Sequence, residues 1–200
     1  MITCIPNPGR CGGTLLLHIL DKYFKMKNTP DYKMEYEVYE YDTGVDRIKN
    51  PPAKNYLFKY QYLFTHKPLL GADKYIILDR RDLHAWCYSH YMTHKNKHVH
   101  GEPPTNYTFD HAEFKNHEKV MTQLRSTWEV EKARLISHGA ISLYYEDIKD
   151  LSAKEILNLC GFDDADDFDK DDLYFEPEDT GISIKPVSYT HLRAHETLLD

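Results

Sequence analysis

The sequence predicts an α/β domain of three layers, in which helices cover both faces of a mainly parallel sheet. Two observations predict this fold class. Short apolar runs alternate along the chain with segments of helical periodicity, which is the arrangement of βαβ units. A glycine-rich turn joins the first apolar run to the first helical segment, at the sheet edge where parallel sheets bind ligands. We therefore expect a single domain over residues 1–186.

The first third of the chain predicts two strands and one helix. Residues 2–5 are apolar and precede the turn at 6–14, and residues 15–24 have helical spacing. Residues 27–53 are rich in tyrosine and acidic side chains and close with two prolines, so a loop is expected there. Residues 55–60 alternate like a strand, and residues 62–70 predict a short helix or turn.

The remainder predicts two more strands and three helices. Residues 74–78 form the clearest strand pattern, followed by a helix from Asp82 to about His94 and an exposed loop over 95–108. A long helix is expected from near Asp110 to His138, because apolar residues keep helical spacing and Gly139 suits a helix end. A strand is expected at 140–144, and Ser152 and Glu155 form a capping box that opens a helix through Cys160. The acidic run at 163–172 predicts a solvated linker.

Composition excludes several classes of protein. The 200 residues are 41% hydrophobic and 28% charged, with a net charge of −7, which suits a globular chain rather than a disordered one. The apolar runs are far shorter than the ~20 residues that span a bilayer, and no secretory signal is visible. Four separated cysteines without a CxxC pair favour a reducing, cytoplasmic setting. An acidic chain has no general affinity for nucleic acid or membranes, so an anionic ligand needs a local cationic site.

The segment at 187–197 differs in character from the acidic stretch before it. Its eleven residues, VSYTHLRAHET, resemble the translation of a transposon-end sequencing adaptor. We therefore expect residues 187–200 to lie outside the fold and the natural C-terminus to be missing.

The turn at residues 8–14 has the composition of an anion-binding loop. Its glycines allow backbone N–H groups to curl around an anion, and Arg10 and Thr14 add a cation and a hydroxyl. It is not a Walker A loop, because Gly13 stands where the lysine belongs. A plain tight turn is the alternative. Cys11 is either a thiol of lowered pKa in this N–H-rich turn or a small residue in the place of serine.

The loop resembles the first motif of sulfotransferases that use 3′-phosphoadenosine 5′-phosphosulfate (PAPS), P-[KR]-S-G-[ST]-T-[LW]. The chain has GRCGGTL at residues 9–15. The resemblance implies a P-loop NTPase-like fold. It also implies a 5′-phosphate site, formed by the following loop residues: Gly9, Arg10, Cys11, Gly12, Gly13 and Thr14.

Two later segments resemble further motifs of the same family. Arg81 follows the strand at 74–78 and precedes Ser89 by eight residues, the spacing of the arginine and serine that bind the 3′-phosphate of PAPS. The segment LYYEDIK at 143–149 resembles the family's Y-E-D-[LM]-[KR] strand end. It implies that Tyr145 lies near the adenine, with Glu146 and Asp147 structural.

The resemblance implies transfer of a sulfuryl group from PAPS, without a metal, to a hydroxyl or amine of a small molecule, glycan or peptide. Arg10 is expected to act at the leaving phosphate. His66, in the THKP segment at 65–68, is the expected general base. In the alternative alignment Lys59 contacts the sulfonate, and a glutamate within residues 35–40, such as Glu35 or Glu37, is the base. A non-catalytic nucleotide- or glycan-binding module and an ATP-dependent kinase are the alternative functions.

A histidine-rich stretch offers a competing interpretation. His90, His94, His98 and His100 lie close in sequence, and the first two share a helical face. Because lysines intervene and no cysteine or carboxylate falls at ligand spacing, we expect solvated histidines rather than a metal site.

Overall fold

A computed structural model describes residues 1–62, 69–96 and 109–164 of the chain. The expectations for His66, for most of the loop at 95–108, for most of the acidic linker and for the adaptor-like tail lie outside these residues. The described residues form the three-layer α/β/α architecture with an all-parallel sheet, so the predicted fold class is confirmed. In chain order the strands are β1 (Ile2–Asn7), β2 (Tyr32–Val38), β3 (Asn55–Gln61), β4 (Lys74–Asp79) and β5 (Ile141–Tyr144).

Helices cover both faces of the sheet. In chain order they are α1 (Gly13–Met26), α2 (Tyr41–Lys49), α3 (Leu83–Asn96), α4 (His111–Ser137), α5 (Tyr145–Ile148) and α6 (Ala153–Leu159). One apolar cluster packs α1 and α6 against the sheet, with Leu17, Leu78 and Leu157 fully buried. A second cluster packs α3 and α4 on the opposite face, around Trp86 and Trp128. Each face of the sheet therefore has its own core.

The strand order β2-β3-β1-β4-β5 places β1 at the centre of the sheet. From β1 the chain moves outward to β2, returns to β3, and then crosses β1 to reach β4 on the other side. Because ligands of open parallel sheets bind where the strand order reverses, the carboxyl ends of β1 and β4 define the crevice to examine. The loop at residues 8–12 lies at this edge, directly after β1.

The prediction of a loop over 27–53 is wrong, since this segment contains β2 and α2. β2 is an edge strand whose residues are mostly half-buried, so its tyrosines and glutamates do not produce the apolar run expected of an interior strand. α2 has only nine residues and contains Gly44, which weakens the local helical signal. α2 packs closely against Leu69, since a Cβ atom added at Gly44 would lie only 3.0 Å from Cδ2 of that leucine. The helix is therefore stabilised by tertiary packing rather than by its local sequence.

Other local predictions are confirmed. Ser152 and Glu155 form the expected reciprocal capping box at the start of α6. Gly139 follows α4 with a φ of 86°, the left-handed conformation of a helix-terminating glycine.

Candidate functional site

The loop between β1 and α1 has the backbone conformation of an anion-binding nest. Gly9, Arg10 and Gly12 have φ values of 79°, 53° and 80°. Arg10 and Gly12 flank Cys11, whose φ is not positive, and such an alternation turns successive N–H groups toward one point. Within the described residues, the backbone N–H groups of residues 10–15 donate no hydrogen bond to the protein. Six such donors at the positive end of a 14-residue helix form a receptor for an anion.

The glycines of this loop are required by close packing at two positions. A Cβ atom on Gly12 would lie 2.7 Å from Cδ2 of Tyr145, and a Cβ on Gly13 would lie 3.1 Å from Nδ2 of Asn7. Gly13 stands where the related motif has serine or threonine, and the buried Asn7 side chain occupies the space that such a residue needs. A serine or threonine at position 13 would require the Asn7 side chain to shift by a few tenths of an ångström.

Thr14 and Lys59 meet at the entrance of α1. Lys59, on β3, is 4% exposed, and its Nζ donates a 2.9 Å hydrogen bond to the Thr14 hydroxyl. Tyr36, on β2, donates to the same hydroxyl at 3.3 Å. Burial lowers the pKa of Lys59, while the carboxylate of Glu37, 3.0 Å from Nζ, favours the charged form. A buried cation therefore lies beside the loop, although Lys59 comes from a neighbouring strand and not from a Walker sequence.

Glu37, and not Glu35, belongs to this cluster. Glu37 accepts hydrogen bonds from Tyr39 and from Gln61, the last residue of β3, in addition to its contact with Lys59. Glu35 is held by Arg47 at 2.7 Å and by Tyr56, and these hydrogen bonds contribute to lowering its pKa. Glu35 and Glu37 were both candidates for the general base, and of these two only Glu37 lies next to Lys59.

Arg81 and Ser89 do not contact each other. Arg81 lies after the end of β4, is about half-exposed and pairs with Asp147. Ser89 Oγ accepts a 3.1 Å hydrogen bond from Nε of Arg10. The two residues predicted to bind one phosphate therefore have different partners: Arg81 contacts Asp147, and Ser89 contacts Arg10 of the loop. Glu146 accepts from the backbone N–H of Arg81 at 3.1 Å.

Tyr145 and Arg80 form one wall of the loop. Tyr145 packs on Gly12, and the guanidinium carbon of Arg80 lies 5.0 Å from the centre of the Tyr145 ring. Partial removal of the Arg10 guanidinium from water, and then the positive charge of Arg80, lower the pKa of Arg10. Arg10, Arg80 and Lys59 therefore bring three cationic side chains close to the loop, with Lys59 paired to Glu37 at 3.0 Å and Arg80 lying 3.7 Å from Glu146.

The thiol of Cys11 is not activated. Cys11 is 1% exposed and donates to the carbonyl of Gly9 at 3.1 Å. Burial raises the pKa of the Cys11 thiol well above its usual value, and the negative charge of Asp79 raises it further. Of the two interpretations of Cys11, the structure supports a small buried residue and contradicts a lowered thiol pKa.

Sequence reasoning missed four residues that shape this site. Asn7 accepts from the N–H of Gly9 at 2.8 Å, and Trp86 donates to the carbonyl of Gly9 at 2.9 Å. His90 Nε2 lies 3.2 Å from the carbonyl of Pro8, so this histidine contacts the loop. Arg80 lies against Tyr145 at the loop, whereas the motif resemblance assigns only its neighbour Arg81 to the site. The sequence signals for these residues are the position of Asn7 and Arg80 at strand ends and the helical spacing of Ser89 and His90 from Trp86.

Comparison with family models, curated proteins and solved structures found no match for this chain. In the described part of the chain, no helix is long and apolar enough to cross a membrane. Among the same residues, no three histidine, cysteine or acidic side chains converge as metal ligands do. The functional assignment therefore depends on the geometry of the loop and its neighbours.

Proposed function

We propose that this chain is a PAPS-dependent sulfotransferase acting on a hydroxyl or amine of a small molecule, glycan or peptide. The observation that carries the proposal is the set of six backbone N–H groups at residues 10–15 that have no partner among the described residues, with Arg10, Lys59 and Arg80 nearby. This arrangement suits a phosphate group. The motif resemblances over residues 9–149 add the sulfated nucleotide as the specific ligand.

In the proposed complex the loop amides, Arg10 and Thr14 hold the 5′-phosphate. The acceptor oxygen or nitrogen attacks sulfur, and the bond between sulfur and the bridging oxygen breaks. The electron pair passes to the 5′-phosphate of adenosine 3′,5′-bisphosphate. The loop N–H groups and Lys59 are placed to neutralise this developing charge, which is the main contribution that a protein makes to such a transfer.

The 3′-phosphate site is assigned to Arg81 and Ser89, with Tyr145 beside the adenine. Arg81 pairs with the exposed Asp147, and in the proposed complex its guanidinium exchanges that carboxylate for phosphate. An exposed ion pair contributes little stability, so this exchange costs little. Ser89 lies within hydrogen-bonding distance of Arg10, which belongs to the proposed 5′-phosphate loop.

Glu37 is the general base that the geometry supports best among described residues. Its carboxylate lies 3.0 Å from Lys59 Nζ, which also donates a hydrogen bond to Thr14 at the start of α1. An acceptor placed at the loop would transfer its proton to Glu37 while Lys59 contacts the sulfonate. His66 remains the competing base.

Ligand binding tests the function directly. At a hundredfold excess over Kd, adenosine 3′,5′-bisphosphate should add about 2.7 kcal/mol to the free energy of unfolding. This corresponds to a rise in Tm of about 5–10 °C for a chain of this size. Stabilisation by ATP without stabilisation by the bisphosphate would overturn the proposal in favour of a kinase. Bisphosphate binding with no sulfate transfer from labelled PAPS to any phenol, amine or sugar would indicate a binding module.

A matched pair of variants tests the base. Glu37→Gln should lower turnover at least ~100-fold, because a general base is lost, while bisphosphate binding is retained. Glu35→Gln is the control on the same strand, and its turnover should change little. If His66→Ala instead abolishes turnover and Glu37→Gln does not, the base is His66.

The compartment is a further part of the proposal. All four cysteines are buried free thiols, which supports a reducing, cytoplasmic location.

A further inference from the structure

One face of α3 contacts the anion-binding loop through three side chains. Trp86, Ser89 and His90 are spaced i, i+3 and i+4, so they project from the same side of the helix. Trp86 Nε1 donates to the Gly9 carbonyl at 2.9 Å, and His90 Nε2 donates to the Pro8 carbonyl at 3.2 Å. Ser89 Oγ accepts from Nε of Arg10 at 3.1 Å. Three consecutive loop residues are thus each held by α3.

The two carbonyl contacts determine where the loop N–H groups point. In a trans peptide the N–H is directed opposite to the carbonyl. The Gly9 carbonyl is held toward α3 by Trp86, so the N–H of Arg10 in the same peptide is directed away from α3, and it has no partner among the described residues. The neighbouring peptide is fixed at both ends, by His90 at the Pro8 carbonyl and by Asn7 at the Gly9 N–H.

The conformation held in this way is one that the chain would not adopt unaided. Arg10 has a φ of 53°, a left-handed conformation that non-glycine residues adopt only when their surroundings enforce it. The hydrogen bonds from α3 flank this residue. Trp86 is itself rigid, since it is fully buried and the guanidinium carbon of Arg125 lies 5.4 Å from its ring centre.

We infer that Trp86 and His90 are positioning residues that hold the loop in its anion-binding conformation by fixing the carbonyls of Gly9 and Pro8. The inference rests on the proposed role of the loop as the 5′-phosphate site. It assigns a function to α3 beyond the serine of the phosphate motif. Burial, followed by the charge of Arg10, lowers the pKa of His90 to about 4, so its ring is neutral at pH 7 and carries one N–H, which Nε2 donates to the carbonyl.

The chain contains a matched control for Trp86. Trp128 is also fully buried and donates a hydrogen bond from Nε1, but its acceptor is the carboxylate of Asp79 at 3.1 Å and not the loop. Trp86→Phe and Trp128→Phe therefore remove the same N–H from two tryptophans of equal burial. Both should lower the Tm of the free protein, and only the first should change anion affinity.

The experiment measures Kd by calorimetry for inorganic pyrophosphate, adenosine 3′,5′-bisphosphate and adenosine 3′-monophosphate. Trp86→Phe should raise Kd for the first two about fivefold to tenfold, the effect of one lost hydrogen bond. It should leave the 3′-monophosphate unchanged, because that ligand has no 5′-phosphate. The Kd values of Trp128→Phe for all three ligands should stay within about twofold of those of the unsubstituted chain. Equal affinities in Trp86→Phe and the natural chain would overturn the inference for Trp86.

Two substitutions of His90 separate hydrogen bonding from packing. His90→Gln places an amide N–H near the position of Nε2 and should retain pyrophosphate affinity, whereas His90→Leu should weaken it. Equal weakening by both variants would overturn the role of His90.

Pyrophosphate also separates this inference from the proposed function. If the natural chain binds pyrophosphate but not the bisphosphate, the sulfotransferase proposal fails and the α3 variants still decide the inference. If it binds neither ligand, both proposals are overturned.

Discussion

Replacing Gly12 with alanine tests how closely the loop is packed against the segment that follows β5. Gly12 has a φ of 80°, and a Cβ atom there would lie 2.7 Å from Cδ2 and 3.2 Å from Cε2 of Tyr145. Two costs therefore combine. A left-handed alanine costs roughly 1–2 kcal/mol, and displacement of a packed ring adds about 1–3 kcal/mol.

Gly139 provides the matched control. It has a φ of 86°, and no heavy atom lies within 4 Å of its added Cβ, so Gly139→Ala carries only the backbone cost of about 1–2 kcal/mol. At about 3 °C per kcal/mol for a chain of this length, Gly139→Ala should lower Tm by about 3–6 °C. Gly12→Ala, with both costs, should lower it by about 6–15 °C.

The assay is thermal unfolding of the two variants, followed by tryptophan fluorescence and circular dichroism. Combining Gly12→Ala with Tyr145→Ala should recover part of the loss, because the added methyl group then fills space that the ring occupied. If Gly12→Ala and Gly139→Ala destabilise the chain equally, Tyr145 does not pack on the loop as described, and the wall assigned to it is wrong.

Two further predictions concern buried charge. Asp79→Ala should lower the free energy of unfolding by about 3–5 kcal/mol, because Asp79 is fully buried and its loss leaves Arg125 and Lys132 without their shared carboxylate. Asp150→Ala, at a carboxylate that is 85% exposed, should change it by less than about 0.5 kcal/mol when both variants are measured by urea titration. Because the pKa of His90 falls from 6.5 to about 4 on folding, the unfolded chain binds the additional proton between these values. Stability should therefore decrease as pH falls from 6.5 to 4, by up to about 1.4 kcal/mol per pH unit. A pH series of His90→Gln that keeps the full slope would refute this assignment.

The sequence by itself predicted those parts of the fold that depend on local pattern. The apolar run of β1 followed by a glycine-rich turn and an amphipathic segment was sufficient for the first strand, loop and helix. The capping box at Ser152 and the left-handed glycine at 139 marked helix ends, because caps act on the backbone within a single turn. Alternation of such elements predicted the parallel sheet.

The tertiary structure decided which side chains meet. β2 and α2 are stabilised by the sheet edge and by Leu69, and neither has a strong local pattern of its own. Sequence named Glu35 and Glu37 equally, and only the register of β2 against β3 places Glu37 beside Lys59.

The same holds for the residues around the loop. The eight-residue spacing predicted that Arg81 and Ser89 bind the same phosphate. In the structure Arg81 forms an ion pair with Asp147, and Ser89 accepts a hydrogen bond from Arg10. Trp86 and His90 reach the loop because α3 packs with that face toward β1. Such contacts join residues 66 to 82 positions apart, and they depend on helix rotation and strand register. A local sequence pattern encodes neither of these, so only the folded chain determines them.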